Sequence, residues 1–271
     1  MSIKRTCYDT VYPFGVLSGH HLSMLDFEPV TILYGGNGSG KSTALNIMAE
    51  TLGLKRDTPY NRSSFFGDYI KLCSYRCDKP IPKESRMITS DDVFDFMLNL
   101  RSLNDGIDRR REELFEDYLD AKYAHFQMRS LKDYEALKKV NMARSHTQSR
   151  FVRENLMGNI REYSNGESAF IYFSENIQEN CLYMLDEPEN SLSAVKQQEL
   201  AKFLEDSARF FHCQMIIATH SPFLLAIRGA KIYDMDEETV DVKQWTELEN
   251  VKVYYDFFKK NKDAFEGGYI S

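Results

Sequence analysis

Val30-Thr31-Ile32-Leu33-Tyr34-Gly35-Gly36-Asn37-Gly38-Ser39-Gly40-Lys41-Ser42-Thr43 decides the fold. A short apolar strand runs straight into a glycine-rich turn. Beyond it, Ser42–Leu54 carries Leu45, Met48, Ala49 and Leu52 at helical spacing, with Gly53 near its end. Gly35–Ser42 fits G-x-x-x-x-G-K-[ST]. Its glycines let the backbone curl so that successive N–H groups point at phosphate oxygens, and the helix that follows adds its N-terminal dipole. In this pattern Lys41 neutralises the β- and γ-phosphates and Ser42 offers a hydroxyl to Mg²⁺. The loop backbone from Gly35 through Gly36, Asn37, Gly38, Ser39 and Gly40, together with Thr43, completes the candidate cradle. A chance match in a chain of this length is on the order of 1%.

A second strand-like run, Cys181-Leu182-Tyr183-Met184-Leu185, ends in Asp186-Glu187. Beside a phosphate loop, Asp186 is the candidate to hold Mg²⁺ through its water shell, and Glu187 the candidate to polarise an attacking water. Taken alone, Glu187 also reads as a helix N-terminal acid before Pro188. Two weaker motifs flank this pair. Tyr163-Ser164-Asn165-Gly166-Glu167 precedes it by about 20 residues, and Thr219-His220-Ser221-Pro222 follows the buried run Gln214–Thr219. A lone histidine after a strand is ordinarily structural, so the order and spacing of all four motifs carry the weight.

That order resembles an ABC-type ATPase head: a P-loop, then S-x-G-[QE], then apolar-apolar-Asp-Glu, then a histidine about 30 residues on. The runs Leu185–Ser193, Ile216–Leu225 and Gly229–Tyr233 are similar to one branch in particular, the compact stand-alone bacterial AAA family ATPases related to SMC/RecF-like heads. The likeness is strongest over residues 30–54 and 163–235 and weakest in the middle.

The resemblance implies an α/β P-loop NTPase fold of ABC type. Its core sheet is mostly parallel, with an N-terminal antiparallel β part and an inserted helical lobe. The chain is then one domain, 1–271, with lobe I at about 1–85 and 175–271 and helical lobe II at about 86–174. The implied cofactors are ATP and Mg²⁺, and the implied activity is ATP hydrolysis in a homodimer packed head to tail. Ser164, Gly166 and Glu167 of one copy meet the γ-phosphate held by the other, and His220 keeps phosphate and water in line. Such switching on a partner is a known use of nucleotide hydrolysis. A partner protein of nuclease or toxin type is implied, with DNA as a second candidate. Three departures bear on this. Asn165 stands where the signature has glycine, Ser193 stands where the D-loop has aspartate, and no glutamine follows the P-loop until Gln127. The glutamine that usually links Mg²⁺ to the helical lobe is therefore unassigned. Tyr12 and Phe14 are candidates to stack on adenine, although core packing is the simpler account of both.

The remaining composition sets bounds. The chain has 271 residues, 42% hydrophobic and 28% charged, with a net charge of −7, as expected of an ordinary folded domain. An acidic balance provides no general attraction for nucleic acid. No apolar run reaches the roughly 18 residues of a membrane span, and the polar N-terminus has no signal-peptide core. The expected location is the cytoplasm, without membrane insertion. The five cysteines suit free thiols in a reducing compartment better than a disulfide framework, and Cys73 with Cys77 lacks the second pair of a zinc site. From Ser90 to about Arg161 the chain is charged and helix-forming, with Leu114, Tyr118, Ala121, His125, Met128 and Leu131 on one face. Lys138, Lys139, Arg144, Arg150, Arg153 and Arg161 make part of it basic. A solvated helical face explains that stretch more simply than a phosphate-binding patch. Farther on, Leu192–Phe211 reads as an amphipathic helix, and Lys231–Met235 with Val240–Trp245 as a closing hairpin. Competing functions are a transporter's nucleotide-binding subunit, a repair-type head on DNA, and an ATP-gated interaction module with little turnover. The missing glutamine weighs against the first.

Overall fold

All five residues of strand β1, Val30–Tyr34, are buried. A run this uniformly apolar suits the middle of a parallel sheet, where both faces are covered. In the computed structural model, β1 lies inside a six-stranded sheet with β2 (Arg86–Thr89), β3 (Leu182–Asp186), β4 (Gln214–Thr219), β5 (Lys231–Asp234) and β6 (Asp241–Lys243). The strand order is β2-β3-β4-β1-β5-β6. Neighbouring strands are parallel except β5 and β6, which form the expected antiparallel closing hairpin. The structure describes residues 12–13, 16, 24–60, 62–124, 134–155, 165–190, 192–237 and 239–266, without the side chains of 101, 104, 134–137, 153–155 and 165–166. Most of the N-terminal β part expected before Thr31 lies outside these residues, and the described residues 24–28 form no strand.

The helices, in chain order, are α1 (Lys41–Leu52), α2 (Phe66–Leu72), α3 (Ser90–Tyr123), α4 (Tyr134–Ser145), α5 (Gln148–Asn155), α6 (Asn165–Asn176), α7 (Ala194–Phe210), α8 (Pro222–Leu225), α9 (Glu249–Lys260) and α10 (Lys262–Phe265). Helix α1 ends where Gly53 turns left-handed, at φ 65°, and its N–H reaches the carbonyls of Ala49 and Glu50. Leu45 and Ile47 of α1 join Phe66 and Tyr69 of α2 in a core with Leu33, Leu182, Met184, Ile216 and Ala218 of the sheet. Strand side chains alternate between faces, so Tyr183, Leu185, Met215 and Ile217 serve the opposite face, each fully buried. Helix α7 packs against β4 and is capped by Ser193, whose hydroxyl accepts the Lys196 N–H. Phe170 of α6 meets Phe203 of α7 edge to face, with ring centres 5.6 Å apart.

Two compact units divide the chain. The first, Met1–Phe94 with Asn165–Ser271, contains the sheet. Pairing of β2 with β3 draws residues 86–89 into it. The second, Asp95–Ser164, is helical. Its core gathers Leu114, Tyr118 and Ala121 with Val140, Ala143, Phe151 and Val152. The other members of the expected face, His125, Met128 and Leu131, lie outside the described residues. Some of the basic stretch is engaged locally: Lys139 pairs with Asp117 at 3.0 Å, and Arg144 donates to the Ala124 carbonyl. The side chains of Arg153 and Arg161 lie outside the description. Among the described residues, no helix is long and apolar enough to cross a membrane.

The centre of the sheet should be intolerant of cavities. Ile217→Ala on β4, where Ile217 is fully buried, is expected to cost about 2–5 kcal/mol. Val195→Ala, at a residue 64% exposed on α7, should change stability by no more than about 0.5 kcal/mol. Urea midpoints of the two variants against the parent check this contrast.

Candidate functional site

Parallel pairing puts the chemistry-bearing residues at one edge of the sheet. Tyr34 of β1 is level with Thr219 of β4, Asp186 of β3 is level with Ala218 of β4, and Thr89 of β2 is level with Asp186. The glycine loop, the acid pair and His220 therefore leave the carboxyl ends of three strands together, the crevice where open α/β sheets bind ligands. A cleft of about 380 Å³ opens there, lined by Asn37, Gly38, Lys41, Ser42, Thr43 and Glu187 among others.

The loop is held from several sides. Gly40, at φ 89°, precedes α1 in the left-handed region open to glycine. A Cβ on Gly35 would collide with the Ser39 side chain. Lys41 is 4% exposed, and its ammonium donates to the carbonyls of Gly35 at 2.7 Å and Gly36 at 2.9 Å. The Gly36 N–H is taken by both carboxylate oxygens of Asp236, at 2.8 and 3.0 Å. Asp236 is placed in turn by its own N–H bond to Asp234, and Asp234 is paired with Lys243 at 2.8 Å. No spacing rule could have found Asp236, which lies 200 residues from its partner.

The Ser42 hydroxyl donates to Asp186 Oδ1 at 2.9 Å. Burial pushes the Asp186 carboxyl up to about 6, with Glu187 also raising it and the Ser42 hydrogen bond and Lys41 opposing. One hydroxyl and one carboxylate, both hard oxygen donors, fit Mg²⁺, which keeps most of its water and takes few protein ligands. Glu187 follows at φ 48°, a strained region for a side-chain-bearing residue that recurs at functional sites. The strain is held by its N–H bond to the Ala218 carbonyl at 2.9 Å. Its carboxylate accepts the Asn190 side-chain amide at 3.0 Å.

Other expected residues divide. His220 stands after β4 with its side chain 45% exposed. Ser164 lies outside the described residues. Asn165 and Gly166 open α6, and Glu167 is exposed in its first turn. Ser193 is engaged as the cap of α7. Tyr12 stacks on Phe66 at 6.1 Å, which favours its core role, and Phe14 lies outside the described residues. At the strand end beside Asp186, the chain carries Thr89 and Asp92 rather than glutamine. Thr89 donates through both its N–H and its hydroxyl to the buried Asp92.

No family model matches the sequence, and no curated protein matches it. Among solved structures, the chain is similar to an inward-facing metal-chelate type ABC transporter, at 20% identity over 86% of this chain and 79% of that one, with a TM-score of 0.36. It is similar to the Smc head domain of Pyrococcus furiosus bound to the C-terminal domain of ScpA, at 12% identity over 86% and 94%, with a TM-score of 0.39. It is also similar to a dimeric ATP-binding cassette in a post-hydrolysis state with ADP and Pi, at 14% identity over 82% and 88%, with a TM-score of 0.38. At such identities and TM-scores, assignment of the fold rests on the chain's own strand order and motifs.

The buried charge at Asp186 has a measurable signature. A carboxyl raised in the folded state contributes stability that is present below the unfolded value of 3.8 and is lost as pH rises through about 6. Asp186→Asn, which keeps an acceptor for Ser42 and removes the charge, should melt several degrees above the parent at pH 8 without nucleotide or metal. The gap should close below pH 4. Thermal melts across this range check both ends.

The strand order, the glycine loop with its buried lysine, and the serine–aspartate contact at the strand ends give the chain the α/β fold and phosphate-loop geometry of a P-loop protein.

Proposed function

We propose that the chain binds Mg-ATP at the P-loop and hydrolyses it between two copies packed head to tail, as a switch acting on a partner protein or on DNA. The observation that carries this reading is the 2.9 Å contact between Ser42 and Asp186, in a cleft that also holds Lys41 and Glu187. The four together are a phosphate anchor, a metal pair and a water-polarising acid. Phosphoryl transfer is catalysed mainly by positioning and charge stabilisation, and these residues supply both. Bound Mg²⁺ would neutralise charge on the β- and γ-phosphates, held by Ser42 and Asp186. Lys41 binds the same phosphates, Glu187 orients the attacking water, and His220 keeps the water and γ-phosphate in line. Ser164, Gly166 and Glu167 of the opposite copy complete the site.

The motif runs favour the compact stand-alone AAA family ATPases within the ABC class. Partners of nuclease or toxin type suit such heads, and the cytoplasm suits a chain with several free cysteines. With Ser193 engaged as a helix cap where an aspartate usually reaches across the dimer, coupling between the two sites is expected to be weak.

Glu187→Gln tests the reading. It should bind ATP with parent-like affinity, hydrolyse it at least about a hundredfold more slowly, and double in solution mass on adding Mg-ATP. Normal turnover would remove Glu187 from its role. ATP binding without a change in mass would replace the homodimer with an ATP-gated module whose site a different subunit completes. Short duplex DNA retained by the dimer, with steep loss in salt, would select DNA over protein as the object of the switch.

A further inference from the structure

We propose that Glu189 is the positioning residue for His220, its buried carboxylate orienting the imidazole through Nδ1 so that Nε2 is the ring nitrogen presented to the nucleotide. The inference deepens the ATPase reading and rests on it for the role of His220.

The left-handed turn at Glu187, followed by Pro188, sends the next side chain back beneath the end of β4. Glu189 is 4% exposed. Its Oε1 accepts the Thr219 hydroxyl at 2.5 Å and the His220 backbone N–H at 3.1 Å. The same oxygen lies 3.7 Å from His220 Nδ1, beyond hydrogen-bond length but within ion-pair range. Catalytic contacts are often this long before the substrate arrives. The backbone around the histidine is fixed from other sides. The Asn250 side chain of α9 donates to the His220 carbonyl at 3.0 Å, and the Ser221 N–H reaches the Thr219 hydroxyl.

The second oxygen of Glu189 decides between a brace and a functional charge. Oε2 is buried with no hydrogen-bond partner among the described residues. A buried acceptor left unpaired is costly, more so when charged. A glutamine would accept the same two hydrogen bonds through Oε1 without burying a charge, so a brace does not need the carboxylate. A negative charge beside Nδ1 does have a use. It holds the proton on Nδ1 and so fixes Nε2 as the ring nitrogen that faces the nucleotide. A carboxylate that fixes a histidine's tautomer is a recurrent device of catalytic sites.

The test pairs turnover with the state of the ring. Glu189→Gln should bind ATP as the parent does and lose about tenfold to a hundredfold in kcat, the usual scale for removing a residue that orients a ligand. In a His220→Ala background the same change should cost nothing more. By ¹⁵N NMR at pH 8, with His220 assigned by the signals lost in His220→Ala, the parent should carry its proton on Nδ1 and Glu189→Gln should move it toward Nε2. Parent-like kcat in Glu189→Gln, or additive losses in the double variant, overturns the proposal. So does a parent tautomer already protonated on Nε2, a result that needs no Glu189 variant and holds even if Glu189→Gln fails to fold. If the parent turns over no ATP, the ATPase reading falls, and the tautomer alone then judges the link between Glu189 and His220.

Discussion

Parallel pairing of β1, β3 and β4 is the constraint on which the site depends. Because Tyr34, Asp186 and Thr219 end their strands at nearly the same level, a loop, an acid pair and a histidine far apart in sequence leave the sheet at one edge. β4 separates β1 from β3, and the helix that follows the P-loop packs against both β4 and β3. Ser42 at the head of α1 spans that separation to reach Asp186. A one-residue slip between β3 and β4 would turn Asp186 to the other face and break the contact.

Around that edge the fold holds charge in an expensive place. Asp186 is desolvated enough to raise its carboxyl, Glu187 sits in strained backbone, and Glu189 is buried with one oxygen unpaired among the described residues. Three acids in four residues repel one another and would each be more comfortable in water. Lys41, Ser42, Thr219 and Asn190 compensate for part of this, and bound cation and phosphate would supply the rest. The apolar core of Leu33, Leu45, Met184 and Ile216 beneath the edge provides the stability against which such strain can be maintained.

The second unit has a different logic. Its core of Leu114, Tyr118, Val140, Ala143 and Phe151 is a local helical packing, and its charged faces are engaged in part by contacts such as Lys139 with Asp117. The basic residues there fit a solvated helical surface, in keeping with the chain's overall acidity.

Residues 30–54 were legible in the sequence because the requirements there are local. A buried strand needs apolar side chains, a phosphate loop needs glycine, and a helix needs its 3.6-residue period. The strands at 181–186 and 214–219, the helix after Ser193 and the closing hairpin were legible for the same reason. The sequence by itself determined the strand–loop–helix unit, the acid pair and the order of motifs. Tertiary structure alone decided that Asp236 holds the Gly36 amide, that Thr89 stands level with Asp186, and that Glu189 lies against His220. Those contacts join residues about 30 to 200 positions apart, or follow from strand register. Short-range periodicity carries no information about either, because only the packed sheet brings such residues within reach.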